Sequence, residues 1–211
     1  MQKYSVFSLI KNALTNHQNW DVVWRDPEPK KEYEAIIIGG GGHGLATAFY
    51  LAKYHNMKNI AILEKGWIGG GNVARNTTIL RSNYMHDANS LFYDHGMQMW
   101  KDLSQELNYN VMYSPRGILN LAHSDAQLNA YARRGNSMRL NGIDVSLIGR
   151  EEVKKMIPFA DFTSNARFPI FGGLLQPIGG TARHDAVAWG YARGADEMGV
   201  DIIQNCEVKG I

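Results

Sequence analysis

The chain has 211 residues, 45% hydrophobic and 20% charged, an ordinary globular balance that allows a sizeable core. Its formal net charge of +2 gives no electrostatic case for nucleic acid or an anionic membrane surface. One cysteine, Cys206, excludes an internal disulfide and fits a reducing, cytoplasmic setting, and no apolar run reaches the length of a membrane span or a signal-peptide core.

Residues 1–34 read as an N-terminal extension. Val6, Leu9, Ile10 and Leu14 recur at helical spacing and predict a short amphipathic helix. Trp20, Trp24 and a polar, proline-bearing lead-in over 25–31 come after it. These apolar residues are expected to strap onto their own domain, with contact to a partner as the alternative.

The stretch 35–44 organises the rest of the chain. Ala35-Ile36-Ile37-Ile38 reads as a buried strand, and glycines then fall at 39, 41 and 44, with Gly42 and His43 between them. A helix comes next, with Leu45, Ala48, Leu51 and Ala52 on one face. In this G-x-G-x-x-G pattern Gly39 permits the tight turn, Gly41 lets the backbone approach a pyrophosphate, and Gly44 lets the helix pack on the sheet. Free N–H groups and the helix dipole favour the phosphate charge. A second strand over 59–63 ends in Glu64, twenty residues after Gly44, where an acid suits a ribose hydroxyl pair. Strand, glycines, helix, strand and acid in this order point to a dinucleotide site.

A second Gly-rich, polar loop occupies 65–81. Residues 86–107 read as a helix with Leu91, Met97, Trp100 and Leu103 as core candidates. Two short strands are expected around the Pro-Arg-Gly turn of 111–122, and a helix over 124–141 with Arg133, Arg134 and Arg139 on its solvated face. A strand and a helix that stops before Pro158 occupy 145–157. The stretch 171–185 reads as a loop, 186–195 as a helix and 200–208 as a strand, with Cys206 as inert packing. His86, His95 and His123 lack metal-ligand spacing, so no metal site is expected.

The runs Glu64-Lys65-Gly66-Trp67, Gly70-Gly71-Asn72 through Arg75-Asn76-Thr77-Thr78, and Gly180-Thr181-Ala182-Arg183-His184-Asp185-Ala186-Val187-Ala188-Trp189 resemble the β-subunit family of heterotetrameric sarcosine oxidases, within the wider FAD-dependent amine and amino-acid oxidoreductases. The resemblance covers nearly the whole chain. It implies an α/β fold: a Rossmann-like FAD-binding parallel sheet with an inserted substrate-domain portion. It divides the chain into 35–110 (first part of the FAD domain), 111–180 (substrate portion) and 181–211 (return to the FAD domain). Too few strands precede Ile211 to complete a doubly wound sheet, so the C-terminal part of the fold is expected to be missing and FAD to be held poorly by this chain alone.

The same resemblance implies oxidative demethylation of sarcosine to glycine. Oxygen is reduced to hydrogen peroxide, and the methyl carbon leaves as formaldehyde or passes to tetrahydrofolate. It implies FAD contacts from Asn72, Arg75 and Thr77, with backbone contacts from Ile79 and Val208. FMN would be attached covalently at His184, with α, γ and δ subunits as partners. Asp185 either orients the His184 ring or caps the helix that begins there. Arg81 stands where related enzymes grip the substrate carboxylate; a surface salt bridge is its other reading. His43 offers a backbone N–H, with a side chain that simply fills space as the alternative. Two other functions stay open: a single-flavin FAD oxidoreductase for another N-methyl amino acid, and a non-catalytic assembly piece.

Overall fold

The computed structural model describes residues 5–18, 24–163 and 165–211, so Trp20 lies outside the described residues. The chain forms two units, one from the residues up to 78 with 103–112 and 183–211, the other from 79–102 with 113–182.

The first unit is built on a parallel sheet in the order β1 (Ala35–Ile38), β2 (Ile60–Leu63), β8 (Asp201–Ile203). Ile37 pairs with Ile62 and Ile62 with Ile202, so β-branched side chains line up across all three strands. Strand β1 is not the buried strand expected: it lies at the edge of this sheet, and Ile36 and Ile38, which alternate onto one face, are exposed. Helices α2 (Gly42–His55) and α6 (His184–Glu197) pack on each other through glycine. A Cβ at Gly194 would stand 2.8 Å from the Phe49 ring, and one at Gly190 would stand 3.0 Å from Leu107. Leu45, Ala48 and Ala52 are buried as expected, but Phe49 completes that face and Leu51 is only half-buried. Burying a side chain the size of Phe49 or Leu45 contributes about 2–3 kcal/mol.

Strand β8 stops at Ile203, short of the expected 200–208. Asn205 adopts φ +54°, which ends the extended run, and the amides of Asn205 and Cys206 turn to Gly66 O and Glu64 O, each at 2.9 Å. Cys206 is therefore no buried strand residue; it is half-buried beyond β8.

Helix α1 (Val6–Leu14) forms as predicted, with Ser5 as its N-cap, but it buries none of its residues, so the expected apolar strap is not made by this helix. The polar lead-in straps instead. Arg25 Nε meets Asp196 at 2.8 Å, Lys30 Nζ meets Asp201 at 2.7 Å, and the Tyr33 hydroxyl donates to Asp201 at 3.2 Å. Asp201 is 1% exposed, and a buried carboxylate requires such partners.

In the second unit, β4 (Ile118–Ala122) and β5 (Ser146–Gly149) flank β6 (Gly172–Gln176) in an antiparallel sheet, while β3 (Ile79–Leu80) pairs with β7 (Gly180–Thr181). The stretch read as a loop over 171–185 thus supplies a central strand. Its glycines admit the neighbours: a Cβ at Gly173 would stand 2.8 Å from Asn120 O. Only one strand forms over 111–122; the earlier half makes a single bridge, Ser114 to Thr181, after Met112 at φ +53°.

Helix α4 (Asp125–Leu140) starts at the cap Ser124, and Met138, Ile143, Val145 and Leu174 make one core cluster. Arg134 is not on the solvated face: its guanidinium donates to Asn83 O and its Nε is buried. A second cluster joins Ile148, Val153 of α5 (Arg150–Met156) and Ile170. On α3 (Asp87–Glu106) Met97 and Leu103 are buried, Trp100 is half-buried and Leu91 is exposed, so Leu91 is not core. Among the described residues no helix is long and apolar enough to cross a membrane.

Candidate functional site

The C-terminal ends of the three parallel strands define one side of the first unit, the side on which open α/β sheets bind ligands. After β1 the chain turns at Gly39, whose φ is +106° and whose N–H donates to Leu63 O at 2.8 Å. Gly41 is the N-cap of α2 in extended conformation. Any Cβ at Gly44 would collide with Gly39 O, so this glycine lets α2 start against the turn. A Cβ at Gly41 would meet only Val73 Cγ2, at 3.8 Å, and one at Gly39 would meet nothing within 4 Å. Protein packing therefore demands glycine at 44 and leaves space at 39 and 41.

Glu64 ends β2 and holds two loops at once. Its Oε2 accepts from Gly40 N–H at 2.7 Å and its Oε1 from Gly66 N–H at 2.8 Å. The turn it begins is tied to the chain beyond β8, because Ile68 N–H donates to Gln204 Oε1 at 2.9 Å. A cleft of about 680 Å³ lies there, lined among others by Gly39, Gly41, Glu64, Trp67, Arg75 and Val208. Arg75 belongs to the 3₁₀ turn Asn72–Arg75, and its guanidinium donates to Gly70 O at 3.2 Å and Gly71 O at 3.1 Å. Lys65 and Arg75 balance Glu64 and Glu207 around the opening.

Gly39, Gly41, Glu64, Arg75 and Val208 are thus brought together on one cleft. Gly42, His43, Asn72 and Thr77 are near it in sequence but do not line it; His43, Asn72 and Thr77 are exposed. Ile79 opens β3 and Arg81 comes directly after that strand, both in the second unit. The Arg81 guanidinium stands 5.6 Å from the centre of the Tyr84 ring, which stacks on Tyr93 at 4.2 Å.

His184 is the first residue of α6, and its Nδ1 is buried without a hydrogen-bond partner. Asp185 is engaged elsewhere: the Arg183 guanidinium grips its carboxylate and lowers its pKa to about 2, and the Ala186 amide donates to it at 2.9 Å. Arg183, not Asp185, occupies the N-cap position. Sequence reasoning missed Trp67 and Cys206 as cleft residues. The place of Trp67, three residues past Glu64, was an available signal; for Cys206 only the end of β8 at Ile203 provides one.

The FAD dependent oxidoreductase family model matches residues 34–211. Sarcosine oxidase subunit beta of Rhizobium meliloti (strain 1021) is 62% identical over 209 residues, covering 99% of this chain and 50% of that protein. The Arthrobacter sp. protein of the same name is 50% identical over 201 residues, covering 95% of this chain and 49% of its own. Among solved structures, L-proline dehydrogenase from P. horikoshii is 26% identical with a TM-score of 0.78, covering 86% of this chain and 46% of that one. The chain spans about half the length of the curated relatives it matches.

Proposed function

The chain belongs to the FAD dependent oxidoreductase family, and we propose that it is part of the β subunit of a sarcosine oxidase that works in the cytoplasm with α, γ and δ partners. The observation that supports this most is the 62% identity to a sarcosine oxidase subunit beta across 99% of the chain. The overall reaction is then sarcosine, oxygen and water giving glycine, formaldehyde and hydrogen peroxide, or transfer of the one-carbon unit to tetrahydrofolate.

The cleft suits FAD on its own geometry. Space is left on the cleft side of Gly39 and Gly41, and the adjacent helix start presents N–H groups to a pyrophosphate. In this reading Gly39 makes the turn against which the pyrophosphate lies, and Gly41, Gly42, His43 and Gly44 hold it through backbone. Glu64 accepts from the ribose. Asn72, Arg75, Thr77 and the backbone of Ile79 and Val208 make the remaining contacts. FAD, when bound, supplies the acceptor for the hydride equivalent of the N-methyl group.

Arg81 holds the carboxylate of the N-methyl amino acid. Its guanidinium makes no ion pair among the described residues and rests against Tyr84, so its fork is free for an anion. His184 is the attachment point for FMN. Its Nδ1 is buried without a hydrogen-bond partner, and the neighbouring carboxylate is gripped by Arg183 and not by the ring, so neither contact competes with a flavin for that nitrogen. Residues 35–110 and 181–211 then serve the FAD domain, and 111–180 the substrate portion.

Peptide mass spectrometry of the full-length protein, purified with its partners, tests this. A flavin-mononucleotide mass on the peptide containing His184, together with sarcosine-dependent peroxide release, is the expected result. Releasable FAD with unmodified His184 would replace it with a single-flavin amine oxidoreductase.

A further inference from the structure

Trp67 is 69% exposed and lines the cleft beside Glu64. An indole left in water forfeits a large apolar stabilisation, so its placement calls for an account. The turn that carries it is shaped around it. A Cβ at Gly70 would stand 2.7 Å from Cε2 and Nε1 of the ring, so only glycine at 70 lets the indole keep its position. The Gly70 amide closes the turn by donating to Trp67 O at 3.0 Å, and Gly69 takes φ +73° to allow it.

On its other side the turn is fixed to the chain beyond β8. Gly66 O accepts from Asn205 N–H at 2.9 Å, and Ile68 N–H donates to Gln204 Oε1 at 2.9 Å. Trp67 therefore stands between the end of β2 and the segment running to Val208. Across the sheet order β1-β2-β8, the cleft meets first the glycine turn, then Glu64, then residues 206–208. A dinucleotide with its pyrophosphate at the glycines and its ribose at Glu64 brings its base to the third position, next to the turn that carries the indole.

We propose that Trp67 is a binding residue for the adenine of the dinucleotide, offering it a preset aromatic face. This rests on the cleft being the FAD site. Adenine is a flat π-system, and stacking a base on an aromatic side chain contributes enough to matter without base-specific hydrogen bonds. Gly70 then has a role in affinity as well as in the turn, because it holds the face in place before the ligand arrives.

The test uses the full-length protein stripped of FAD, with ADP as the probe, since ADP has the adenine, ribose and diphosphate but no flavin. Trp67→Ala is expected to weaken ADP binding about tenfold, equal to about 1.4 kcal/mol, while Trp67→Phe stays within about threefold of the parent. ADP absorbs well below tryptophan emission, so it quenches only by contact; the quenching seen in the parent is expected to vanish in Trp67→Phe, which still binds. That second readout holds even where Trp67→Ala does not fold. Unchanged ADP affinity in Trp67→Ala, or undiminished quenching in Trp67→Phe, would overturn the inference. Unchanged ADP affinity with weakened subunit association would overturn it in favour of a partner covering the indole. A parent protein that binds neither ADP nor FAD would instead overturn the reading of the cleft as the FAD site.

Discussion

The Glu64 carboxylate accepts the Gly40 amide at 2.7 Å, so the acid that ends β2 is fastened to the glycine turn that ends β1. Its other oxygen holds Gly66. A carboxylate has about four acceptor sites, and two loop bonds leave room for ribose hydroxyls. Glu64→Gln keeps the size but turns one acceptor into a donor that faces an amide. FAD affinity of the full-length protein is expected to fall tenfold or more, given about 1.5–3 kcal/mol for a hydrogen bond to a charged group. Titration of released FAD by its fluorescence measures it; parent-like affinity would remove Glu64 from the site.

Gly44 and Gly41 are separable by experiment. Gly44→Ala drives a methyl into Gly39 O, and Gly39 at φ +106° has no easy adjustment. A loss of roughly 3 kcal/mol or more in urea denaturation is expected, as for severe overpacking. Gly41→Ala meets only Val73 at 3.8 Å, so stability should change little while FAD retention falls. Equal stability losses in both variants would contradict this division.

Glu106 gives a pH signature. Burial pushes its pKa up, but hydrogen bonds from Lys53 at 2.6 Å and from Tyr54 and Tyr50 more than offset that, leaving it below the ordinary 4.5. A carboxyl depressed on folding contributes stability that is present above its unfolded value and is lost as pH falls through the folded one. The thermal stability of the parent should therefore fall below about pH 4.5. Glu106→Gln should lower the midpoint at pH 7 and show a shallower acid limb. Parallel pH profiles for the two proteins would sink the argument.

In the second unit Gln176, 1% exposed, donates to Ser82 Oγ at 2.6 Å while its own Oε1 has no partner. Ser82→Ala leaves the whole amide unpaired and should cost about 1–3 kcal/mol. Adding Gln176→Leu removes the stranded amide and should recover most of that loss. A double variant as unstable as the sum of the singles would show that the pair is not coupled.

Legibility tracked the range of the signal. β1, α2 and β2 could be read because a β-branched run, glycine spacing and a helical apolar face are properties of neighbouring residues. The strand β6 could not, since Gly172 and Gly173 look like loop residues until β4 and β5 close on both sides of them. Arg134 looked solvated by its place on α4, yet Asn83, from a distant segment, takes its guanidinium. The apolar stripe of α1 was visible, whereas the strap proved to be Arg25, Lys30 and Tyr33 on Asp196 and Asp201.

By itself the sequence determined the glycine turn, the acid after the second strand and the helix that starts against the turn, because positive φ and a missing Cβ act within a few residues. Tertiary structure alone decided that Trp67 and Cys206 share one cleft with them, beside the Arg75 and Val208 that the resemblance implies. That cleft depends on β2 pairing in parallel with β8, Leu63 opposite Ile203, across an interval that contains the whole second unit. No periodicity records such a pairing, since it is selected only when the buried faces of distant strands and helices close on one another.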